Sequence, residues 1–308
     1  MADSLLKILI AGGQGYVGET VKYYLVSKGF QVLSPLRSEL DYRDLSMIRK
    51  FLVAQKISCV IMTVARPFNS TLPTEQAKQW ALNNHLAEDN LITAATEYEI
   101  PRLIHLSSQS IFGEKAPTEQ ISLSDIIRPT SQYAAAKFKS TYKIEKLSLG
   151  TRQKWINLVI PGVCGFYRKT SNSYSYFLPG IIQKTVNREK INLSPRILTQ
   201  NREYVSTLDI SQIIEMLLKT DNFDVFINRR LNICAEYSYT VKNILDFVGT
   251  FVTHHDDDKL NLSKILTPYS SKMKSEINLE LFGYSPTTLY DMISWQVNRV
   301  RVTDHFKY

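Results

Sequence analysis

The stretch "KILIAGGQGYVGE", residues 7–19, joins a short apolar run to a helical pattern through a turn that holds four glycines. Gly12, Gly15 and Gly18 follow one another at intervals of three. In a strand–turn–helix of this kind, backbone N–H groups and the positive end of the helix dipole face the turn. Glycines let the backbone turn tightly and let a phosphate approach without meeting a Cβ atom. The stretch therefore predicts a buried strand followed by a phosphate-binding turn.

Outward from this stretch, short apolar runs alternate with helical patterns. The predicted strands are "KILIA" (7–11), "QVLSP" (31–35), "CVIMTVA" (59–65), "RLIHLSS" (102–108) and "WINLVIP" (155–161), and the predicted helices span 16–29, 82–99 and 131–148. Continuously apolar strands are covered on both faces, and their alternation with helices is typical of right-handed βαβ crossovers. We therefore predict an α/β fold built on a doubly wound, parallel Rossmann sheet.

After residue 161 the regular alternation of predicted strands and helices ends, which predicts a smaller, discontinuous C-terminal lobe. We expect a helix at 181–188, a pair of strands near 203–208 and 230–235 separated by a helix at 209–220, and from about 237 two short helices, a loop and a last helix. Residues 1–161 and 203–236 are assigned to the nucleotide-binding domain. Residues 162–202 and 237–308 are assigned to the substrate-binding lobe.

The apolar runs, the cysteines and an acidic tract indicate where the protein is found and whether it binds a metal. No run approaches the roughly 20 apolar residues of a membrane span, and no basic region precedes the first apolar residues, so we expect a soluble cytoplasmic protein without membrane contact. Three separated cysteines, Cys59, Cys164 and Cys234, predict buried reduced thiols and no metal site. The "HHDDD" tract at 254–258 is interpreted as a solvated loop.

The net charge is +8, from 37 basic and 29 acidic residues. The basic residues are scattered and no aromatic–basic recognition motif accompanies them, which disfavours nucleic acid as a partner. Positive potential in a cleft raises the local concentration of anionic small molecules. The charge therefore favours a polyanionic small-molecule substrate.

The spacing in "GGQGYVG" (12–18) resembles the extended short-chain dehydrogenase/reductase family, which acts mostly on nucleotide-sugars. The resemblance continues in order through "SSQSIFG" (107–113), "YAAAK" (133–137), "REYVSTLD" (202–209) and "LFGYSPTTL" (281–289), and so covers nearly the whole chain. In motif detail it is closest to nucleotide-4-keto-sugar reductases. It implies an NAD(P)-dependent enzyme of polysaccharide or glycan building, and a homodimer paired through the helices that carry Asn84 and Tyr133.

The catalytic groups are predicted from two motifs. Tyr133 and Lys137 lie four apart on a predicted helix and so share a face. A nearby ammonium favours phenolate, so we expect Lys137 to lower the pKa of Tyr133. The resemblance places the catalytic hydroxyl at Ser108, five residues before Gly113. It implies that Ser108 binds the substrate oxygen, that Tyr133 exchanges a proton with it, and that Lys137 also holds the nicotinamide ribose.

The residues after Ser108 discriminate among reactions of the family. Dehydratases carry an acidic pair there, whereas this chain has Gln109 and Ser110, which disfavours 4,6-dehydration. The fucose-type epimerase–reductases use a cysteine and a histidine in this region, and "SSQSIFG" has no cysteine, which disfavours 3,5-epimerisation. Ketone reduction at C4, or 4-epimerisation through a transient ketone, needs only the triad and nicotinamide.

Cofactor choice is indicated at the end of the second predicted strand. NAD-binding sites carry an acidic residue there, and an arginine can receive a 2′-phosphate. Leu36 stands at the acidic position and Arg37 follows it, which favours NADP(H) and leaves NAD(H) open. The predicted cofactor-binding residues are Gly12, Gly15, Tyr16, Val17, Gly18, Arg37, Ser38, Asp41, Ala65, Asn84 and Lys137.

The predicted substrate contacts are Gln109, Ser110, Tyr167, Arg168 and Arg202. Arg202 matches the family arginine that binds the nucleotide diphosphate, and a planar guanidinium suits that role. Ile160 and Gly162 depart from the family, which often has Arg and Asn there.

Together these observations predict NADPH-dependent reduction of a 4-keto, 6-deoxy nucleotide-sugar to the hydroxy sugar, with Tyr133 as the proton donor. Two alternatives stay open. One is a nucleotide-sugar 4-epimerase with tightly bound NAD(P). The other is a non-catalytic NADP-sensing protein on the same fold, because fold alone does not give function.

Overall fold

The structure, a computed structural model, describes residues 6–65, 74–113, 120–165, 176–221, 225–226, 229–235, 237–253, 269–270 and 284–305. Its strands are β1 (Lys7–Ala11), β2 (Gln31–Leu33), β3 (Cys59–Met62), β4 (Arg102–Ser108), β5 (Lys154–Ile160), β6 (Gly162–Cys164), β7 (Asn201–Ser206), β8 (Arg230–Asn232), β9 (Tyr237–Thr240) and β10 (Tyr269–Ser270). Its helices are α1 (Tyr16–Ser27), α2 (Leu45–Gln55), α3 (Thr74–Glu97), α4 (Gln132–Ser148), α5 (Phe177–Val186), α6 (Pro195–Leu198), α7 (Thr207–Lys219), α8 (Val241–Thr253) and α9 (Leu289–His305).

Six strands form a parallel central sheet in the order β2-β1-β3-β4-β5-β8. This confirms the predicted α/β fold with a doubly wound parallel sheet. The chain turns to one side after β1 and to the other side from β3 onward, so the connections diverge between these two strands. Ligands of open α/β sheets bind in the crevice that such a switch point opens at the carboxyl ends of the strands.

Helices cover both faces of this sheet. Along β1, Ile8 and Ile10 pack in a cluster with α1 and α7, whereas Leu9 and Ala11 pack in a cluster with α2 and α3. This alternation follows from the period of two that successive side chains have in a strand. Both sets are fully buried, so the end of β1 is anchored in the core directly before the glycine turn.

Helix α2 was not predicted from the sequence. Its apolar side chains Ile48 and Leu52 are four apart and buried, which is the ordinary spacing of a helix face. Asp44 caps its start by accepting a hydrogen bond from the backbone N–H of Met47 at 3.0 Å.

Four strands form a smaller sheet in the order β10-β9-β7-β6, in which β6 and β7 are parallel and the other neighbours antiparallel. The prediction that 203–208 and 230–235 pair with each other is wrong, because β7 lies in this sheet and β8 lies beside β5. A buried ion pair between Arg230 and Glu145 of α4 holds β8 there. The division of the chain into two domains stays a prediction.

The tail differs from its predicted course at its start. Residues 237–240 form a strand that pairs with β7, where a helix was expected. The segment "YSYT" contains tyrosine and threonine, which favour strands and suit a half-buried sheet surface. Helices α5, α8 and α9 then cover the smaller sheet through an apolar cluster that includes Leu178, Phe247 and Ile293.

The remaining composition-based expectations concern cysteines and membrane spans. Cys59 and Cys164 are buried, Cys234 is half-buried, and all three are free thiols. Within the part of the chain that the structure describes, no helix combines the length and the apolar character that crossing a bilayer requires. The "HHDDD" tract lies outside the described residues.

Candidate active site

The glycine turn connects β1 to α1 at the carboxyl edge of the central sheet. Gly12 has a φ of +89°, and a Cβ atom there would lie 2.8 Å from the backbone nitrogen of Val64. A Cβ atom at Gly18 would lie 2.3 Å from the carbonyl oxygen of Gly12. Gly15 is the N-cap residue of α1, and no side chain caps this helix end. The turn therefore exposes backbone N–H groups at a helix N-terminus without side chains in the way, which suits a pyrophosphate.

A cavity of about 400 Å³ opens beside this turn. Asp41 in its wall accepts hydrogen bonds from the guanidinium of Arg43, at 3.0 and 2.5 Å, and lies 3.7 Å from Nε of Arg37. The hydrogen bonds from Arg43 lower the pKa of Asp41 to about 2. Arg37 thus meets a carboxylate that Arg43 already occupies, and its side chain is 63% exposed. Of the predicted cofactor residues, this wall holds Gly12, Gly15, Arg37, Asp41, Ala65 and Asn84.

A second cavity, of about 200 Å³, brings together the three predicted catalytic residues. Ser108 ends β4, while Tyr133 and Lys137 lie one turn apart on α4. Thr63 and Ala65 line both cavities, so the two spaces adjoin. The triad and the glycine turn therefore share one cleft at the switch point of the sheet.

Lys137 is buried, and its Nζ donates hydrogen bonds to Oε1 of Glu88 at 2.6 Å and to the carbonyl oxygen of Leu106 at 2.7 Å. Burial and the negative charge of Glu88 raise the pKa of Tyr133 above its ordinary value, against a hydrogen bond with Ser108 that lowers it. The expected net lowering of this pKa is therefore wrong here. The physical reasons are that burial disfavours the charged phenolate and that the carboxylate of Glu88 repels it.

Glu88 belongs to a buried polar network that sequence reasoning missed. His105 of β4 places Nε2 at 3.3 Å from Oε1 of Glu88 and Nδ1 at 2.8 Å from Oδ1 of Asn157. The amide of Asn157 donates to the carbonyl oxygen of Thr141 at 3.2 Å. A usable signal was present, since Glu88 falls on the apolar stripe of α3 and His105 interrupts an apolar strand. Ionisable groups at buried positions usually have partners.

The substrate side of the second cavity includes Gln109 and Arg202, as predicted. Nη2 of Arg202 donates to Gln200 at 2.8 Å, and its guanidinium lies 5.4 Å from the centre of the Phe177 ring. Oε1 of Gln109 and Nε of Arg202 are buried and make no hydrogen bond with any residue that the structure describes. Unpaired buried polar atoms are costly. Their presence indicates that a polar ligand or solvent completes this wall.

Gly162 departs from the family pattern for a visible steric reason. A Cβ atom there would lie 2.6 Å from a ring carbon of Tyr204 and 2.9 Å from the carbonyl oxygen of Glu203. Tyr204 therefore takes the space that a larger side chain at 162 would need. The predicted contacts Tyr167 and Arg168 lie outside the described residues. Cavity residues that sequence reasoning did not single out include Thr63, Phe177, Glu203 and Tyr204, of which the "REYVSTLD" match pointed to the last two.

Some predicted site residues do not line either cavity. The side chain of Tyr16 is buried, and its hydroxyl accepts a hydrogen bond from the backbone N–H of Gly165 at 3.0 Å. Gly18 lies beneath the turn, and Ser38 is exposed on the loop after β2. Oγ of Ser110 donates to Oγ of Ser108 at 2.9 Å. Ser110 thus contacts the predicted catalytic hydroxyl of Ser108 and lines neither cavity. Val17, in contrast to these residues, lines the second cavity.

This arrangement of strand, glycine turn and triad can be compared with known proteins. Residues 8–234 match the NAD dependent epimerase/dehydratase family. The chain belongs to this family. Its relatives include GDP-L-colitose synthase of Yersinia pseudotuberculosis, which is 24% identical over 261 residues, or 80% of this chain and 84% of that protein.

Two solved structures share the fold of this chain. UDP-glucose 4-epimerase of Thermus thermophilus, in complex with NAD, matches with a TM-score of 0.77 at 17% identity, over 96% of this chain and 99% of that one. A GDP-D-glycero-L-gluco-heptose synthase from Campylobacter jejuni, in the presence of NADPH, matches with a TM-score of 0.77 at 16% identity, over 98% and 100%. These likenesses show a shared fold. The reaction must be argued from the side chains in the cleft.

Proposed function

We propose that the chain is an NADPH-dependent reductase that converts a 4-keto-6-deoxy nucleotide-sugar to the hydroxy sugar. The observation that carries this proposal is the meeting of Ser108, Tyr133 and Lys137 in a cavity that adjoins the glycine turn. Gln109 and Ser110 follow Ser108, and neither can act as the carboxylic acid or base that dehydration requires. Similarity to GDP-L-colitose synthase supports a GDP-linked sugar as the first substrate to test.

The cleft fits a nicotinamide dinucleotide. The glycine turn leaves no room for a Cβ atom at Gly12 or Gly18, so the backbone at the start of α1 can approach a pyrophosphate closely. The larger cavity suits the adenosine half, and the cavity at Tyr133 suits the nicotinamide and the sugar. When bound, the nicotinamide supplies the hydride that reduces the ketone carbon.

The protein's own side chains supply the proton and the orientation. Tyr133 donates its phenolic proton to the ketone oxygen as that oxygen becomes a hydroxyl. Ser108 hydrogen-bonds the same oxygen. Ser110 donates to Oγ of Ser108, and the hydroxyl of Ser108 also hydrogen-bonds Tyr133. The raised pKa of Tyr133 keeps it protonated at neutral pH, which is the form that reduction needs.

Preference for NADPH is proposed from the loop after β2. Leu36 replaces the acidic residue that would repel a 2′-phosphate, and Arg37 is exposed in the cavity wall. In Arg37→Ala we expect NADPH to bind roughly tenfold more weakly, since one charge-assisted hydrogen bond is lost, while the Kd of NADH stays unchanged. Arg49→Ala, which breaks a surface pair with Glu97, is the matched control. Equal weakening of both cofactors would contradict the proposal.

The diphosphate of the substrate is assigned to Arg202. Its Nε is buried in the wall of the second cavity without a partner among the described residues, and a guanidinium binds phosphate oxygens through paired hydrogen bonds. We expect Arg202→Ala to raise KM for the nucleotide-sugar far more than it changes the Kd of NADPH.

The decisive experiment follows NADPH absorbance with the full chain and a panel of GDP-, UDP- and dTDP-linked 4-keto-6-deoxy sugars. We expect stoichiometric oxidation of NADPH, with NADH slower, and loss of turnover in Tyr133→Phe. Tyr23→Phe is the control, because Tyr23 is exposed and lines neither cavity. No consumption, together with co-purifying nicotinamide and a sugar inverted at C4, would replace the reductase by an epimerase. Detection of neither NADPH oxidation nor a C4-inverted sugar would favour a non-catalytic NADP sensor.

A homodimer is proposed through α3 and α4, which pack against each other. Leu82 and Leu86 of α3 and Tyr142 of α4 are exposed, and an exposed apolar surface of this kind often marks a protein contact. Light scattering should give the mass of two chains. Leu86→Glu should reduce it to that of one, and a monomeric wild type would refute the pairing.

A further inference from the structure

The catalytic lysine is held from inside the protein by a carboxylate. An ammonium has three N–H donors, and Nζ of Lys137 uses two of them on Glu88 and on the carbonyl oxygen of Leu106. Only one donor then remains for the cavity, where Tyr133 and the cofactor ribose would lie. Glu88 therefore limits both the position and the free hydrogen-bonding capacity of this side chain.

The carboxylate itself lies against a buried polar network. His105 approaches Oε1 of Glu88 at 3.3 Å and is oriented by Asn157. Thr141 closes the network by donating to the carbonyl oxygen of Lys137 at 2.8 Å. Glu88 is 1% exposed and His105 is fully buried. In so dry a site the charge of Glu88 acts on its neighbours with little screening by water.

On the basis of the proposed reductase function, we propose that Glu88 is a positioning residue that anchors Lys137 and keeps Tyr133 in the phenol form, the proton donor of ketone reduction. Among the described residues, the ionisable groups that contact Glu88 are Lys137 from α4 and His105 from β4, and Tyr133 lines the same cavity as Lys137. Burial alone would raise the pKa of Glu88, but the charges of Lys137 and His105 outweigh it and hold that pKa below its usual range. Glu88 is therefore a carboxylate throughout the neutral range.

The proposal makes a specific statement about pH. Reduction requires the phenol of Tyr133, whereas the reverse oxidation requires the phenolate. With Glu88 present, reduction should stay active into the alkaline range. When the charge of Glu88 is removed, the ammonium of Lys137 is no longer offset, and Tyr133 should ionise at lower pH.

The first test needs no substrate, and so does not depend on the proposed reaction. Tyrosinate absorbance is titrated from about pH 8 to pH 10 in four proteins: wild type, Tyr133→Phe, Glu88→Gln and Glu88→Gln/Tyr133→Phe. We expect Glu88→Gln to gain one tyrosinate that the double variant lacks, and wild type to match Tyr133→Phe. Identical titrations of Glu88→Gln and the double variant would overturn the proposal.

The second test uses the substrate that the NADPH assay identifies. In Glu88→Gln, the alkaline limb of kcat/KM for reduction should move to lower pH by about one unit. The acid limb for oxidation of the product should move by the same amount. A purely structural role would lower both rates without moving either limb. Asp89→Asn is the control, since Asp89 is the next residue of α3 and pairs with the half-buried Lys143.

A third variant covers the case in which Glu88→Gln does not fold. Glu88→Asp keeps the charge and withdraws it from Lys137 by one methylene. It should lower the pKa of Tyr133 as Glu88→Gln does, but by less. A folded Glu88→Asp protein in which Tyr133 titrates as in wild type would count against the proposal. Absence of turnover in wild type, together with the expected tyrosinate in Glu88→Gln, would refute the reductase and leave the Glu88 interaction standing.

Discussion

Replacing Gly18 by alanine tests whether the tight glycine turn is needed to bind the cofactor. The added Cβ atom would lie 2.3 Å from the carbonyl oxygen of Gly12, 2.6 Å from Oγ1 of Thr63 and 2.7 Å from Cα of Gly13. Ordinary contacts of a Cβ atom begin at 3.4 Å. Because two of the three obstacles are backbone atoms, α1 and the turn must separate by the missing distance of about 1 Å.

Two energies follow from this separation. Overpacking of a well-packed site costs about 1–3 kcal/mol of folding free energy. A shift of about 1 Å also withdraws the N–H groups at the start of α1 from the pyrophosphate, and each charge-assisted hydrogen bond is worth about 1.5–3 kcal/mol. Loss of one such bond raises the Kd of NADPH roughly 10- to 150-fold.

The assay combines urea denaturation with fluorescence titration of NADPH. Gly249→Ala is the matched control, because Gly249 lies within α8 and its added Cβ atom would meet no atom within 4 Å. We expect this control to gain about 0.4–1 kcal/mol of stability and to keep the wild-type Kd. A folded Gly18→Ala protein that binds NADPH with unchanged affinity would show that the turn is not the phosphate site.

Three further predictions concern stability, each measured by urea denaturation. Gly162→Ala should lose about 1–3 kcal/mol, because its Cβ atom meets the buried Tyr204 ring at 2.6 Å; the same substitution made in a Tyr204→Ala background should cost less. Arg230→Met should lose about 3–5 kcal/mol, because it leaves Glu145 charged and buried without its partner; a loss below about 1 kcal/mol would contradict this. Asp41→Asn should make the free energy of unfolding depend less on pH in acid. The lowered pKa of Asp41 means that its carboxylate stabilises the fold above about pH 3.8 and that this stabilisation is lost as the pH falls towards about 2. An unchanged pH dependence would show that the Arg43 interaction contributes nothing.

Local chemistry explains which elements could be predicted from the sequence. β1 and the turn at Gly12 follow from an apolar run and from glycine spacing, and both depend on neighbours within a few residues. The register of Tyr133 and Lys137 follows from the period of a helix. Ser108 was found by its distance from Gly113 in a matched motif. None of these inferences requires knowledge of which distant segments meet.

The elements that escaped prediction depend on distant contacts. β7 has the apolar and polar residues of an ordinary strand, and nothing local in it specifies the smaller sheet instead of a place beside β8. Its pairing follows from Gly162, which opposes Tyr204 in register. Likewise, Glu88 and His105 each look like an isolated polar residue in an apolar pattern. Only the packing of α3 against the sheet shows that they are partners.

The features that set this chain apart lie around the triad and not within it. In the proposed reaction, Ser108 and Tyr133 act directly on the ketone oxygen. The wall formed by Gly162 and Tyr204 belongs to the smaller sheet and bounds the substrate side of the cavity. Glu88 approaches from α3 and contacts Lys137 from the protein interior. We expect changes of the wall to alter which sugar is accepted, and changes at Glu88 to alter the pH at which Tyr133 donates its proton.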